Sequence, residues 1–350
     1  MTLHRRNFLE AIQKAKQATE TSSVFPGGDL LILKGNFIGG FNGRFFVRVP
    51  FEHGLSVFLR ATDLLAVVNK YNTETIDIEH QKGESVVVKS GRSRTTLHTY
   101  ASNVYASLLA LDDWEKLEWT NAPDALRLLP LCVLEKQALC SGVYWDETGI
   151  VASDLQAIIQ VKTQNTFPVP FWFRNEEIST LLKVGSKIHK LAYSEDKSWV
   201  FFEMDDGIVC GCRSLNKEQY PEKQLRHSFD THVEGRKILS TKISPEMEKT
   251  LVRLGLFLEK DNQRVSLAFS EKELSLHSKN NSGSVVEVVE LDEENEDGDI
   301  RFRVDFRAFA HFLKYAVTMD LLFTQSNRRY VLYFQNQDKQ WEGILSTTKE

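Results

Sequence analysis

The side chains of this chain that could bind a charged partner are lysines and arginines on predicted helices, and no catalytic motif accompanies them. Cys210-Gly211-Cys212 looks like half of a metal site, but its apolar strand pattern places both side chains on one face. Small buried residues explain that pattern better than zinc, which takes four ligands. The nine histidines include no HExxH motif, and there is no P-loop, nucleophile elbow or glycine-rich dinucleotide loop. The sequence therefore predicts no catalytic residue, no metal and no cofactor.

Lys and Arg recur on the polar faces of the predicted helices, where they could attract phosphate. That attraction is long-range and indifferent to base sequence. Any amphipathic helix also turns lysines toward water, so one such residue alone carries little information. The cations with this placement are Arg6, Lys14, Lys70, Lys183, Lys249, Arg253, Arg307 and Lys314.

Composition places the chain among globular proteins. It has 350 residues, of which 42% are hydrophobic and 26% charged, and this length allows two or three domains. The net charge of −5 excludes only a protein that is basic all over, since one basic surface can still bind phosphate. The sequence has no apolar run that could span a bilayer and predicts no signal peptide. With only four cysteines, we expect a cytoplasmic protein.

An internal repeat indicates the number of domains. Gapless matches begin at Val57, Phe171 and Phe302, with offsets of 114 and 131 residues. Each match starts with apolar residues at alternate positions, typical of a half-buried strand, and then changes to helical spacing. A second strand follows each helix, at 86–88, 200–202 and 331–333. Chance alternation in an apolar-rich sequence is the weaker alternative, because three matches coincide.

The other half of each repeat shows a matching order of elements. Helices are predicted at 5–19, 123–139 and 245–260, and strands follow at 29–49, 143–161 and 265–289. The predicted fold class is α+β, with three similar domains that each pack two helices on antiparallel sheets. The predicted domains are 1–115, 116–232 and 233–350.

Polar stretches between these elements predict linkers and turns. Linkers are expected at 112–116 and 228–235. The glycine-rich stretch 39–43 predicts a hairpin turn, and the acidic run 292–299 predicts a solvated hairpin tip.

One short motif carries a specific resemblance. The stretch Ser90-Gly91-Arg92-Ser93-Arg94 resembles a Ser-Gly-Arg-Ser-Arg segment of the bacterial DNA polymerase III β subunit, the sliding clamp. Val151-Ala152-Ser153-Asp154 and Tyr220-Pro221-Glu222 are similar to elements of that family's second domain. The order of elements agrees through the third domain, so the resemblance covers nearly the whole chain. The divergence indicates a remote member, such as one encoded by a phage.

The resemblance implies a DNA clamp fold in which two chains form a homodimeric ring around double-stranded DNA. The cations named above would then contact DNA, because the family's helices line the hole. The family pairs domain one of one chain with domain three of the other. By resemblance, the dimer-interface residues are Arg92, Arg94, Leu97, Leu256, Phe257, Glu287 and Glu290. An ordinary charged edge strand is the alternative for the two arginines.

The resemblance also implies a pocket that accepts short linear peptides of partner proteins. Its positions correspond to Cys140, Ser153, Leu155, Ile158, Ser228, Ile344 and Leu345. Leu155-Gln156-Ala157 stands where the family has Gly-His-Arg, and the polar tail 346–350 replaces an apolar, proline-containing one. We therefore do not transfer the family's peptide preference to this chain.

The implied function is that of a processivity factor, a non-enzymatic ring that tethers a DNA polymerase. An ATP-dependent clamp loader is a further implied partner, and no membrane association is expected. Two alternatives stay open: a clamp-fold adaptor that binds peptides without encircling DNA, and a DNA nuclease without a recognisable motif. Retention on circular DNA distinguishes the clamp from the adaptor, and degradation of DNA in magnesium would identify the nuclease.

Overall fold

The computed structural model describes residues 1–20, 26–81, 84–101, 115–116, 142–154, 156–162, 170–185, 187–215, 219–258, 263–325 and 328–349. The chain forms two compact units. The first comprises 1–123 and 176–215, and the second comprises 124–175 and 216–350. All pairs of described strands are antiparallel, which confirms the predicted α+β class.

Among its described residues, the first unit contains two sheets and three α-helices. The helices are α1 (Arg5–Lys16), α2 (Ala61–Lys70) and α3 (Asn175–Val184), which begins at the unit boundary. The strands are β1 (Thr2–His4), β2 (Leu30–Lys34), β3 (Phe37–Phe41), β4 (Phe45–Pro50), β5 (Ser56–Arg60), β6 (Thr75–Gln81), β7 (Ser85–Ser90), β8 (Ser93–His98), β9 (Glu115–Lys116), β14 (Ile188–Tyr193), β15 (Trp199–Met204) and β16 (Val209–Arg213). Their orders are β1-β6-β7-β8 and β5-β2-β3-β4-β16-β15-β14-β9.

The described part of the second unit also contains two sheets and three α-helices. The helices are α4 (Glu222–Val233), α5 (Pro245–Gly255) and α6 (Phe306–Tyr315). The strands are β10 (Val143–Asp146), β11 (Gly149–Ser153), β12 (Ala157–Val161), β13 (Phe171–Phe173), β17 (Arg236–Lys242), β18 (Arg264–Phe269), β19 (Glu273–Asn280), β20 (Gly283–Glu290), β21 (Ile300–Asp305), β22 (Thr318–Thr324), β23 (Arg329–Gln335), β24 (Trp341–Ser346) and β25 (Thr348–Lys349). Their orders are β13-β10-β11-β12-β24-β23-β22-β17 and β20-β19-β18-β21-β25.

The repeat is confirmed as three runs of strand, helix and two strands. The runs are β5-α2-β6-β7, β13-α3-β14-β15 and β21-α6-β22-β23. The apolar stripe that predicted each helix is its buried side, as with Phe309 and Phe312 of α6. Asp305 begins α6 because its side chain accepts a hydrogen bond from the amide of Ala308 at 3.0 Å.

Two sheets continue across the predicted domain boundaries. In the first unit, β4 pairs with β16, and in the second unit, β12 pairs with β24. The compact units divide the second predicted domain between them. The boundaries 1–115, 116–232 and 233–350 therefore stay a prediction.

Two helix predictions and one linker prediction were wrong in extent. The helix predicted at 5–19 ends at Lys16. The helix predicted at 245–260 ends at Gly255, because the amides of Leu256 and Phe257 bond three residues back and tighten the last turn. The linker predicted at 228–235 is helical as far as Val233 and belongs to α4, whose Leu225 and Phe229 are buried one turn apart. The helix predicted at 123–139 lies outside the described residues, as does most of the linker at 112–116.

Two loop predictions were wrong in part. Asn42 and Gly43 lie in the turn between β3 and β4, as predicted, and Gly43 has a positive φ of 87°. Gly39 and Gly40 lie inside β3, and a Cβ on Gly40 would collide with the carbonyl oxygen of Ala15 in α1. Gly40 therefore allows the helix to approach the sheet. The acidic run is not a free hairpin tip, because Asp292 and Glu293 accept hydrogen bonds from backbone amides of β17.

Candidate nucleic-acid interface

A cationic groove of about 630 Å³ lies among the helices of the first unit. Lys14 and Lys16 of α1 and Lys183 of α3 line it, together with Gln13, Gln17 and Glu10, whose carboxylate pairs with Arg6. The structure thus brings together Lys14 and Lys183, which were predicted separately as phosphate contacts. Among the described residues, none of the three lysines forms an ion pair, so their charges are available to an external anion. The sequence prediction missed Lys16, although its place in the last turn of an amphipathic helix was a signal.

The remaining predicted cations of the first unit lie outside this groove. Arg6 is exposed on α1 and forms an ion pair with Glu10 one turn later, at 3.2 Å. Lys70 is exposed at the end of α2. Both are on polar helix faces as predicted, but neither lines the groove with Lys14 and Lys183.

The predicted cations of the second unit lie on two helices. Lys249 is exposed on α5, and Arg307 and Lys314 are exposed on α6, opposite buried Phe309 and Phe312. Arg253 of α5 instead binds both carboxylate oxygens of Glu287 on β20, at 2.5 and 2.6 Å. That hydrogen bond lowers the pKa of Glu287 and raises the pKa of Arg253. The pair was not predicted, and it competes with the DNA contact expected of Arg253.

The residues predicted for the subunit interface lie on or beside two edge strands. Strand β8 is at the edge of its sheet in the first unit, with Arg94 exposed and Leu97 half-buried, while exposed Arg92 precedes it. Strand β20 is at the edge of its sheet in the second unit and carries exposed Glu290. Leu256, which is 73% exposed, and half-buried Phe257 follow α5, the helix that packs on β20.

Apolar side chains that the sequence prediction missed surround the β20 edge. Val286 and Val288 on β20 are 60% and 52% exposed, and Val252 on α5 is 73% exposed. The alternate spacing of the two valines on a predicted strand was a visible signal. Large exposed apolar side chains that cluster on one edge are typical of a protein interface.

The two edges have the same hydrogen-bonding pattern. Next to β8, the amide of Thr99 donates to the carbonyl of Glu84. Because every second residue of an antiparallel strand bonds to its neighbour, residues 93, 95 and 97 bond to β7. Arg94, Thr96 and His98 therefore point their amide and carbonyl groups away from the sheet. In β20, the amide of Leu291 donates to the carbonyl of Lys272 on the side of β19. The amide and carbonyl groups of residues 284, 286, 288 and 290 therefore also point away from the sheet. On both strands these outward-bonding residues carry exposed side chains.

Most residues predicted for the peptide pocket lie on neighbouring strands of the second unit. Ile158 of β12 is directly opposite Ile344 of β24, and Leu345 is opposite Ala157. Ser153 donates to the carbonyl of Ala157 at 2.9 Å. All four predicted residues of these strands, Ser153, Ile158, Ile344 and Leu345, are buried. Cys140 and Leu155 lie outside the described residues.

Helix α4 packs against β11 and β22 beside these residues and carries half-buried Ser228, which accepts a hydrogen bond from His232. Arg226 fixes the helix through Asp146 and Glu222, both at 3.0 Å. Asp154 shapes the loop between β11 and β12 by accepting the amides of Gln156 and Ala157, and burial raises its pKa.

Cys210 and Cys212 are both buried in β16, as the strand pattern predicted. Burial raises the pKa of both thiols, so they do not supply reactive thiolates. Across the described part of the chain, no group of three or more His, Cys, Asp or Glu side chains could hold a metal ion. No helix in those ranges combines the length and apolar character needed to cross a membrane.

The fold has close matches among solved structures. The sliding clamp of DNA polymerase from Bacillus subtilis matches with a TM-score of 0.79 and 14% identity, over 100% of this chain and 98% of that one. The chain has the sliding-clamp fold. The DNA polymerase III β subunit of Thermotoga maritima matches with a TM-score of 0.75 and 16% identity, over 100% and 99%. The β subunit of Streptococcus pyogenes gives 0.76 and 16%, over 100% and 99%.

Sequence comparison does not detect this similarity. No protein-family model matches the chain, and no curated protein matches it in sequence. At 14–16% identity, the sliding-clamp fold is conserved in these structures while most side chains differ.

Proposed function

We propose that the chain is a DNA sliding clamp: two copies close into a ring around duplex DNA and hold a DNA polymerase on its template. The observation that carries the proposal is that the sliding-clamp fold accounts for the whole chain, with 100% of it covered. The ring requires no catalytic residue and no cofactor. An ATP-dependent clamp loader would open it, and the peptide pocket would accept the partners.

The groove of Lys14, Lys16 and Lys183 supports DNA binding in this proposal. These flexible ammonium groups act as point charges toward phosphate and do not present the planar pair of donors that reads a base edge. Binding would therefore be independent of base sequence and would permit sliding. Lys70, Lys249, Arg307 and Lys314 would extend the cationic lining, and Arg6 and Arg253 would add to it despite their ion pairs.

The edges of β8 and β20, which no described strand covers, support closure of the ring. An antiparallel pair between β8 of one chain and β20 of the other satisfies both hydrogen-bonding patterns and keeps the exposed side chains on one face. We assign the register that places Arg94 opposite Glu290, because it joins opposite charges. Thr96 and His98 then lie opposite Val288 and Val286. On the inner face, Leu97 lies beside the Arg253–Glu287 pair, close to Leu256 and Phe257.

A cysteine pair tests this register. In the proposed pairing, Thr95 and Val289 form a pair without mutual hydrogen bonds, in which the Cα atoms are about 4.5 Å apart, within disulfide range. The double variant Thr95→Cys/Val289→Cys should give a covalent dimer on oxidation. The matched control, Thr95→Cys/Glu287→Cys, tests a register shifted by two residues and should cross-link poorly. Preferential cross-linking of the control would refute the register and leave the ring in place.

Topological retention tests the function itself. The cysteine-pair variant is threaded onto linear duplex DNA, the DNA is circularised with a ligase, and the protein is then oxidised and passed through a sizing column at high salt. A closed ring should travel with the circle and be released when a restriction enzyme linearises the DNA. The unoxidised protein has a chain mass of 40.1 kDa, so light scattering should give twice that value. A monomeric mass without retention would favour the clamp-fold adaptor, and DNA cleavage in magnesium would favour the nuclease.

A further inference from the structure

One ion pair lies within the apolar surface beside β20. Arg253 of α5 donates to both carboxylate oxygens of Glu287, from Nε at 2.5 Å and from a terminal nitrogen at 2.6 Å. Val252 and Leu256, which precede and follow Arg253 along the chain, are each 73% exposed. On the strand, Val289 is buried two residues after Glu287. A charged pair therefore stands among aliphatic side chains at a sheet edge.

The arginine matches both the shape and the charge of the carboxylate. The planar guanidinium group reaches the two oxygens of Glu287 at once, which is the strongest arrangement for such a pair. The carboxylate is the more covered partner, with 15% of the Glu287 side chain exposed against 50% of the Arg253 side chain. Among the described residues, no second cation forms an ion pair with Glu287. Its neutralisation within the chain therefore depends on Arg253.

The elements packed against Glu287 offer no close substitute for Arg253. Strand β19 places buried Leu276 directly opposite Glu287. Helix α5 packs on β20, and the charge of its Glu246 acts on Arg253 rather than on the carboxylate. The other charged residues of α5, all exposed, are Glu246, Glu248 and Lys249.

Closure of the ring would remove water from this carboxylate. In the register proposed above, Leu97 of the partner subunit lies directly opposite Glu287, and residues 93 and 95 on the same face of that strand are also uncharged. Covering a charged group with aliphatic side chains costs free energy unless hydrogen bonds replace the lost water. Arg253 supplies two such hydrogen bonds from within the same chain, before the subunits meet.

We propose that Arg253 is a positioning residue for ring closure, which neutralises Glu287 so that an aliphatic surface of a second copy of this chain can close over it. This inference rests on the proposed ring and names a residue on which its interface depends. The role differs from that of a DNA contact, because a phosphate would have to displace Glu287 from both donors of Arg253.

The test is the dissociation constant of the dimer, measured by sedimentation of the full-length protein over a dilution series without DNA. Arg253→Met keeps much of the aliphatic stem but leaves the Glu287 carboxylate unpaired. Each ring has two interfaces, so a tenfold loss at each, about 1.4 kcal/mol, should raise the dissociation constant about a hundredfold. Arg253→Met/Glu287→Leu should return it to within about threefold of the parent value, because an apolar pair can replace an ion pair.

The pH dependence separates neutralisation from a purely structural role. In Arg253→Met, closure removes water from the carboxylate and so raises the pKa of Glu287 in the dimer above that in the monomer. Protonation then favours the dimer, and the dissociation constant of this variant should fall about fivefold as the pH falls from about 7 to about 5. Arg253→Met/Glu287→Leu retains every other titrating group and should lack this recovery. A loss of dimer with neither rescue nor recovery would overturn the proposal, since it would make Arg253 a support of α5 alone.

A matched control removes a cation from an ion pair elsewhere. Lys190 of β14 pairs with Glu203 at 2.9 Å in a sheet that contains neither β8 nor β20, so Lys190→Met should leave the dissociation constant within about twofold. An equal loss in this control would overturn the proposal, since it would indicate an effect of net charge. Weaker DNA binding by Arg253→Met with an unchanged dimer would assign Arg253 to DNA instead. A monomeric parent would overturn the ring itself, whereas a dimeric parent with an unaffected variant would overturn only this role.

Discussion

Replacing Lys14 and Lys183 with glutamine should weaken DNA binding and reduce its salt dependence. The two lysines come from separate helices but line one groove, and neither has an acidic partner among the described residues. Glutamine keeps much of each side chain's length and polarity while removing the charge, so the change tests electrostatics rather than packing.

The size of the effect follows from the release of counterions. Each cation that neutralises a phosphate contributes about 0.9 to the slope of log K against log salt. Two substitutions in each of two subunits remove four contacts, so the slope should become shallower by about 3.6. Between about 50 and 200 mM salt, the parent protein should therefore lose about a hundredfold more affinity than the variant.

The assay is equilibrium binding to a short labelled duplex with open ends, onto which a ring can thread without a loader. Lys223→Gln/Lys279→Gln is the matched control, because both lysines are exposed and neither was predicted to contact DNA. The control slope should stay close to that of the parent. If the Lys14/Lys183 variant and the control show the same slope, the groove is not part of the DNA interface.

Three further predictions concern the proposed subunit interface between β8 and β20, the edge strand β17, and the buried side chain of His53. Leu256→Asp should convert dimers to monomers in sedimentation, because it removes an apolar contact worth about 1.5–3 kcal/mol from each of the two subunit interfaces. An unchanged dimer would show that Leu256 is not part of the interface. Asp292→Ala/Glu293→Ala should lower the free energy of unfolding in urea by about 1–3 kcal/mol, through the loss of two hydrogen bonds to charged groups; a change near zero would show that water replaces both. Burial lowers the pKa of His53, so its neutral form stabilises the fold above a pH of about 6.5 and that contribution is lost as the pH falls through its lowered pKa. His53→Gln should therefore flatten the decrease of the urea midpoint between pH 7 and pH 5, and an equally steep decrease would contradict this role.

The repeat was predictable because each element carries its own local signal. Alternate apolar residues and helical spacing are written within short windows, as at Phe302 and Phe309, so the strand–helix–strands runs were found without knowledge of distant contacts. The repeat therefore depends on nearby residues alone. The placement of Arg92 and Arg94 at the subunit interface came instead from the resemblance of their short motif to a known family.

The errors occurred where distant parts of the chain determine the structure. Gly40 looked like a turn residue, but its role is set by Ala15, which lies on a helix packed against β3. The polar composition around Ser228 hid a helix whose two apolar anchors, Leu225 and Phe229, bind the sheet. The pairing of Arg253 with Glu287 joins α5 to β20 and could not be read from either segment alone.

Two strands at sheet edges of the second unit, β17 and β20, differ in how their outward-pointing amides are bonded. In β17, the bond from the amide of Ile243 to Val317 leaves the amides of Ser240 and Lys242 pointing outward. Glu293 and Asp292 accept these two amides, both at 2.7 Å, so this edge is closed to another strand.

Strand β20 lies in the same unit, and across the described residues no side chain accepts the outward amides of residues 284, 286, 288 and 290. Its exposed face instead carries valines, which would be unfavourable in water without a partner. Exposed valines on an unpaired strand edge are typical of a surface that packs against another chain. The contrast between the covered edge of β17 and the uncovered, apolar edge of β20 therefore supports β20 as one side of the subunit interface. This support comes from the chain's own geometry and does not depend on similarity to known clamps.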